Sequence, residues 1–321
     1  MIGVLDDYTH TVGPEKNFNE SMYFQFYDPQ QRIGGFLRLA NRPNEGMGER
    51  TVCLYLPDGS LAFGYARPQV TSNDAMVGAG LAIEVAEPMR TLRVVFVGDV
   101  SVLADPRSMI DPKRALGTSP TVECSVALEY NALTTAHEQT FDGDGASFAP
   151  NHYEQLATAR GRISLGQQSF MVSGHGLRDH SWGPRSWQAP WFYRWLHGSS
   201  ATRGFMVAYF GDPDGTSRRG GFVFDDGRLH PCVDVEITTG RDDDDFQRTM
   251  SVIAHGEHRS WRFDGVALSS VPLRHRSADG AAHTRIVESV VRWHTDDGLE
   301  LHGMAEYLDQ IQDGRPVGQL V

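Results

Sequence analysis

The sequence predicts an all-β, mostly antiparallel protein built in two halves, with few short helices. Three observations carry this. Short runs rich in Val, Phe and Tyr are broken roughly every eight to fifteen residues by Gly, Pro, Asp and Asn, as strands and their turns are. Sustained apolar spacing at i, i+3, i+4 and i+7, the mark of a helix with one buried face, is nearly absent. A layout of strands and turns also recurs in the second half of the chain. The length of 321 residues points the same way, since a domain takes roughly 100–200.

Thr51–Leu56 and Leu61–Tyr65 flank the turn Pro57-Asp58-Gly59. Arg90–Val97, Thr121–Tyr130, Arg162–Leu165 and Gly204–Phe210 read as further strands. Short helical pieces are expected near Asp105–Leu116 and near Pro150–Thr158. The repeat begins with Tyr23-Phe24-Gln25-Phe26-Tyr27, then Gly35-Phe36-Leu37-Arg38-Leu39 and the turn Asp58-Gly59. Its second copy is Trp191-Phe192-Tyr193-Arg194-Trp195, Gly204-Phe205-Met206-Val207-Ala208 and Asp226-Gly227. From Phe24 to Gly59 is 35 positions, and from Phe192 to Gly227 is also 35. Equal spacing suggests two copies of one β unit. The boundary then falls where Gly183, Pro184 and Pro190 break the chain, giving domains 1–186 and 187–321. Units of this size are small barrels or sandwiches, and the residue pattern alone leaves both open.

Composition narrows the function. Apolar residues make up 40% and charged residues 22%, which is enough to fill a core and excludes a disordered chain. Net charge is −12, so no nucleic-acid partner and no anionic membrane surface is expected. Asp242-Asp243-Asp244-Asp245 reads as a solvated loop. Cys53, Cys124 and Cys232 are far apart and odd in number, with no CxxC pair, which argues against disulfides and thiolate zinc. The first residues lack a basic and apolar leader, and no stretch reaches the ~18 apolar residues that span a bilayer. A cytoplasmic location without a membrane span is the expectation. Whether the chain forms a homo-oligomer is left open.

The densest chemistry lies in Ser173–Trp187, where two His, two Arg, one Asp and two Trp surround three Gly. As a strand, one face carries His175, Leu177, Asp179 and Ser181, and the other Gly176, Arg178, His180 and Trp182. His175 and Asp179 are then about 13 Å apart, too far to bond but able to address two ends of one ligand. An Asp among indole rings in an apolar mouth is desolvated, which raises its pKa and suits a general acid. Trp182, Trp187 and Trp191 could stabilise a carbocation through their ring faces. The bland alternative is that Arg178 and Asp179 form salt bridges among core Trp residues. In a second cluster, His152 and Glu154 share a face if the segment is a strand, so that the carboxylate orients the imidazole, and point apart if it is a helix. Arg160 and Arg162 are candidate partners for those carboxylates. His283, His294 and His302 have no metal-ligand spacing, and there is no HExxH, nucleotide-binding glycine motif or GxSxG. No metal and no cofactor is expected.

Asp179-His180-Ser181-Trp182-Gly183 resembles the Asp-His-x-Trp-Gly element of the carotenoid 1,2-hydratase (hydroxyneurosporene synthase) and AttH-like group. The wider Gly174–Trp187 stretch is similar to an uncharacterised bacterial branch of that group. Asn19-Glu20-Ser21-Met22-Tyr23-Phe24 resembles its opening Glu-x-Trp-Tyr-Phe strand, with Met22 where Trp is usual. The resemblance implies two tandem lipocalin-like antiparallel β-barrels, or strongly curved sandwiches, with a hydrophobic cavity. It implies a cofactor-independent hydratase or dehydratase acting on a C=C bond of an isoprenoid, steroid or aromatic molecule. Asp179 would be the acid, with His180 and His175 as further catalytic candidates. Trp182, Trp187, Trp191, Tyr193, Arg178, Glu154 and His152 would bind substrate. Ser181 departs from the acidic or amide residue often seen there, which weakens a two-group proton relay. A non-catalytic carrier of a hydrophobic ligand, and a cyclase or isomerase using the same cavity, are the alternatives.

Overall fold

The structure is a computed structural model that describes residues 2–139, 150–277 and 280–319. It is almost wholly antiparallel β, as the residue pattern predicts. Two compact units make it up: residues 1–105 with 113–186, and residues 106–112 with 187–321.

The first unit holds β1 (Phe18–Asp28), β2 (Ile33–Arg42), β3 (Met47–Tyr55), β4 (Leu61–Ala66), β5 (Met76–Gly78) and β6 (Leu81–Glu87). It continues with β7 (Thr91–Leu103), β8 (Thr121–Ala132), β9 (His137–Glu138), β10 (Asn151–Leu165) and β11 (Gln168–Pro184). The order is β4-β3-β2-β1-β11-β10-β8-β7-β6-β5, with β9 on β10. The far end of β7 also pairs with β4, which closes β4, β3, β2, β1, β11, β10, β8 and β7 into a ring. Closure pairs β4, which would otherwise be an exposed edge, while β6 and β5 continue from β7. Alternate residues of each strand fill the ring: Met22, Phe24 and Phe26 of β1, Leu37 and Leu39 of β2, Phe96 of β7 and Leu128 of β8.

The second unit holds β12 (Phe192–Ser199), β13 (Gly204–Gly211), β14 (Ser217–Asp225), β15 (Arg228–Pro231) and β16 (Asp234–Arg241). It continues with β17 (Gln247–His255), β18 (Ser260–Arg276), β19 (His283–Thr295), β20 (Glu300–Gln312) and β21 (Arg315–Pro316). Its order is β15-β14-β13-β12-β20-β19-β18-β17-β16, with β21 on β20. The opening four strands of each unit are thus laid side by side in sequence, and the first pairs with a late strand. Phe205 stacks on Phe263 and meets Trp293 edge-on, at centroid distances of 4.0 and 5.1 Å, in the second core.

Among the described residues helix is limited to short pieces. Pro106–Ile110 is a 3₁₀ turn and Pro112–Thr118 a single short helix, near where helix is expected. The other expected helix, at Pro150–Thr158, is instead the start of β10. Residues 153–157 are buried on both faces of that strand, so the alternation that identifies a strand is missing there.

Strand β11 positions the site. It lies between β1 and β10, so its residues 178–182 each have a partner on both sides. Asp179 is flanked by Tyr23 and Glu154, and His180 by Met22 and Tyr153. Gly176 allows the close approach to β1: a Cβ there would lie 1.9 Å from the Gln25 carbonyl oxygen.

Candidate functional site

Two clusters sit back to back on β10 and β11. The first is on the face turned away from Met22 and Phe24. Here His152 Nε2 pairs with Asp179 Oδ2, and Glu154 Oε1 lies 3.5 Å from the same nitrogen. Because β10 is a strand, His152 and Glu154 share a face and converge on Asp179 across the ladder. All three are close to water-free, with side-chain exposures of 12% for His152, 0% for Glu154 and 9% for Asp179.

The electrostatics correct one expectation. Burial does press the Asp179 pKa upward, but the charge and hydrogen bond of His152, then Arg185 and His180, press it down further. Asp179 is therefore held below the usual carboxylate range and is not a neutral acid. His152 moves the other way. Burial disfavours its charge, yet Asp179 and Glu154 outweigh burial and raise it to about 9. The proton of the cluster therefore resides on the imidazole. Nearby His137, across from Glu154 on β9, is pushed down to about 4 by burial and by the His152 charge, and stays neutral.

The second cluster faces the core of the first unit. Arg178 donates from Nη1 to Asp7 Oδ1 (2.5 Å) and to the Tyr153 hydroxyl (3.1 Å), and from Nε to Gln155 Oε1 (2.7 Å). Its ion pair is thus with Asp7, not Asp179, which lies on the opposite face of the strand. His180 Nε2 lies 2.5 Å from Glu20 Oε1, and His10 Nδ1 lies 2.9 Å from the same oxygen. Trp182 stacks on the His10 ring at 3.7 Å between centroids.

The remaining candidates lie elsewhere. His175 is on the same face as Asp179 but four residues along β11, opposite Thr158 and Tyr27, and burial and Arg160 lower its pKa. Arg160 and Arg162 are exposed and well along β10 from Glu154. Trp187, Trp191 and Tyr193 belong to the second unit. There Trp187 stacks on His275 at 4.5 Å, Gln310 donates its backbone N–H to the Trp191 carbonyl, and the Tyr193 hydroxyl donates to Glu306. Asp7, His10, Glu20, Tyr153 and His137 were not singled out as site residues from sequence. Only Glu20 carries a signal, a charged residue in phase with Met22, Phe24 and Phe26 on the apolar face of a strand.

Residues 3–311 match the domain of unknown function DUF7064. The chain belongs to this family. A comparison with curated proteins finds no match. Among solved structures, this DUF7064 chain is similar to an AttH candidate from Nitrosomonas europaea, at 12% identity and a TM-score of 0.57, over 92% of this chain and 94% of the other. It is similar to kievitone hydratase from Nectria haematococca at 10% identity and a TM-score of 0.57, over 96% and 93%. It is also similar to CghA, solved with Sch210972, at 14% identity and a TM-score of 0.56, over 92% and 89%. These likenesses establish the tandem lipocalin-like β fold, and fold alone does not transfer a reaction. No helix among the described residues is long and apolar enough to cross a membrane.

Proposed function

We propose that the chain is a hydratase- or dehydratase-type lyase that adds water to, or removes it across, a C=C bond of a hydrophobic small molecule. The observation that carries this reading is the buried His152–Asp179 pair with Glu154 beside it. Hydration needs a proton donor, a water molecule and a place to return the proton, and no redox partner. In the proposed step the His152 imidazolium gives its proton to one alkene carbon, and water captures the cation at the other. The oxonium formed then loses a proton back to the imidazole. The reverse sequence is dehydration. Asp179 and Glu154 hold the imidazole charged and oriented between turnovers. This moves the acid from Asp179 to its partner. Asp179 becomes a positioning residue, and its conjugate role is electrostatic.

Support for the reaction class also comes from the Asp179–Gly183 element, which resembles that of carotenoid 1,2-hydratase, and from the kievitone hydratase likeness in fold. We assign the substrate to isoprenoid, steroid or aromatic alkenes on that resemblance, with the two domains taken as 1–186 and 187–321. A donor held at about 9 is a weak acid, so this assignment favours alkenes whose cation is stabilised by substitution or conjugation.

The test is incubation with prenylated, terpenoid and steroid alkenes in ¹⁸O-water, with mass detection, for wild type, His152→Gln and Asp179→Asn. Expected is one labelled water gained by wild type, loss in His152→Gln and strong reduction in Asp179→Asn. Full turnover by His152→Gln would sink the mechanism. A second reading, a carrier without catalysis, is favoured by the mutual satisfaction of the His152–Asp179 pair, which a purely structural bridge would also show. Equal retention of one panel member by all three proteins, without label, would select it.

A further inference from the structure

The core-facing cluster of the first unit poses a proton-counting problem. The Tyr153 hydroxyl has one hydrogen, and the Asp7 carboxylate oxygen at 2.7 Å can only accept it. His180 Nδ1, 3.2 Å from that hydroxyl oxygen, must therefore be the donor between the two. On the other ring, His10 Nε2 faces the Asp6 carboxylate at 3.4 Å and is again placed to donate. The second nitrogen of each imidazole, Nε2 of His180 and Nδ1 of His10, points at one atom, Glu20 Oε1, at 2.5 and 2.9 Å.

The inner nitrogen of each ring meets this oxygen either as an N–H donor or as a lone pair, and the two ring centroids are 5.5 Å apart. Lone pairs and a carboxylate oxygen repel unless a cation lies among them. The other atoms of the trio are already anchored. Glu20 Oε2 accepts from Asn73 Nδ2 (3.0 Å) and from the His10 backbone N–H (3.1 Å). Tyr153 fixes the His180 tautomer, Asp6 faces His10, and Trp182 stacks on the His10 ring. A metal-binding histidine characteristically has its outer N–H held in this way, and a ligating carboxylate is likewise hydrogen-bonded. Charge agrees as well: Asp6, Asp7 and Glu20 bring three carboxylates and Arg178 one compensating cation, a surplus of negative charge that suits a dication.

We propose that His10, Glu20 and His180 form a zinc-binding site that fastens the N-terminal segment of the chain to β1 and β11. Two imidazoles and one carboxylate are a common zinc donor set, with bonds of about 2.0–2.2 Å. Their ligand atoms lie within 4.8 Å of one another. Tetrahedral zinc sets them roughly 3.3 Å apart, so each nitrogen, now 2.5 or 2.9 Å from Glu20 Oε1, separates from it by less than about 1 Å to receive the ion. Glu20 and His180 are 0% and 1% exposed and lie on neighbouring strands, whereas His10 lies outside any strand. The ion would therefore tie residues 3–10 to the barrel wall.

The experiment is calorimetric titration of zinc chloride into untagged, chelator-treated full-length protein near pH 6, in buffers of differing ionisation enthalpy. One zinc per chain is expected, with release of up to about two protons, one from each nitrogen that becomes a ligand. Thermal melting should shift upward with zinc. Glu20→Gln, His180→Gln and His10→Ala should each weaken binding at least tenfold. His152→Gln, a member of the other cluster, should bind as wild type does. If the buried substitutions unfold the protein, His10→Ala decides, because His10 sits outside the strands. Unchanged affinity in folded His10→Ala, or no stoichiometric binding by wild type, overturns the proposal. So does binding that is lost in His152→Gln instead.

Discussion

Replacing Asp179 with Asn tests whether the His152 cluster stores its proton on the imidazole. In the folded protein His152 is raised from 6.5 to about 9. A shift of that size corresponds to roughly 3 kcal/mol, at about 1.4 kcal/mol per pKa unit. The side chain is only 12% exposed, so solvent screening takes little of it. The sign follows from linkage. A raised folded pKa stabilises fully below the unfolded value of 6.5, and the contribution is lost as pH climbs through about 9. The share of Asp179 has the opposite sense. Its folded pKa is depressed, so its contribution is present above its ordinary 3.8 and is lost only as pH falls through the lower folded value. Between pH 6 and 10 it is constant. In Asp179→Asn, burial and Arg185 lower the His152 pKa against the opposing charge of Glu154. Urea unfolding of both proteins at pH 6, 7.5, 9 and 10 measures the difference. The stability gap between wild type and variant should narrow by roughly 2–3 kcal/mol between pH 6 and 10. His10, also raised by Glu20 and Asp6 against burial, titrates in both proteins and cancels. A gap that stays constant across this range would refute the charged imidazole, and with it the assignment of His152 as the acid.

Arg178→Met should cost about 3–5 kcal/mol, because it leaves Asp7 buried without its cation; adding Asp7→Asn should recover part of the loss in thermal melting. Gly176→Ala should cost about 1–3 kcal/mol or more, since its Cβ meets the Gln25 carbonyl oxygen on β1. Gly117→Ala, in the short helix with nothing within 4 Å, should be neutral or stabilise by under about 1 kcal/mol, and a large loss there would show that this helix is misplaced. In the second unit, Arg194 bridges to Asp309 at 3.0 Å and stacks on Tyr307 at 4.5 Å. Arg194→Met should speed amide exchange in β12 and β20 and leave β1 and β11 protected; equal loss in both units would deny their separate stability.

The fold was legible because turns and strand alternation are local. Asp226 and Gly227 both take positive φ, as an Asp-Gly hairpin turn requires, and Gly59 does so in the matching turn. The 35-residue spacing from Phe24 to Gly59 and from Phe192 to Gly227 spans equivalent strands in the two units. The start of β10 was not legible, because a strand buried on both faces loses its alternation and competes with a helix. At the candidate site the alternation of β11 was enough to separate Asp179 from Arg178 and His180. What each side chain meets across the sheet was not available from spacing. Glu154 and His152 come from a strand about 25 positions earlier in the chain, while Asp7, His10 and Glu20 are about 160 or more positions from their partners on β11. The sign of the Asp179 shift shows why this matters. Composition around Asp179 predicts desolvation, which is indeed the largest single influence on it, yet several opposing charges together reverse the result. Desolvation can be guessed from apolar neighbours in sequence. A counter-charge brought in by strand pairing cannot, so a buried acid's protonation state is a property of register more than of its own segment.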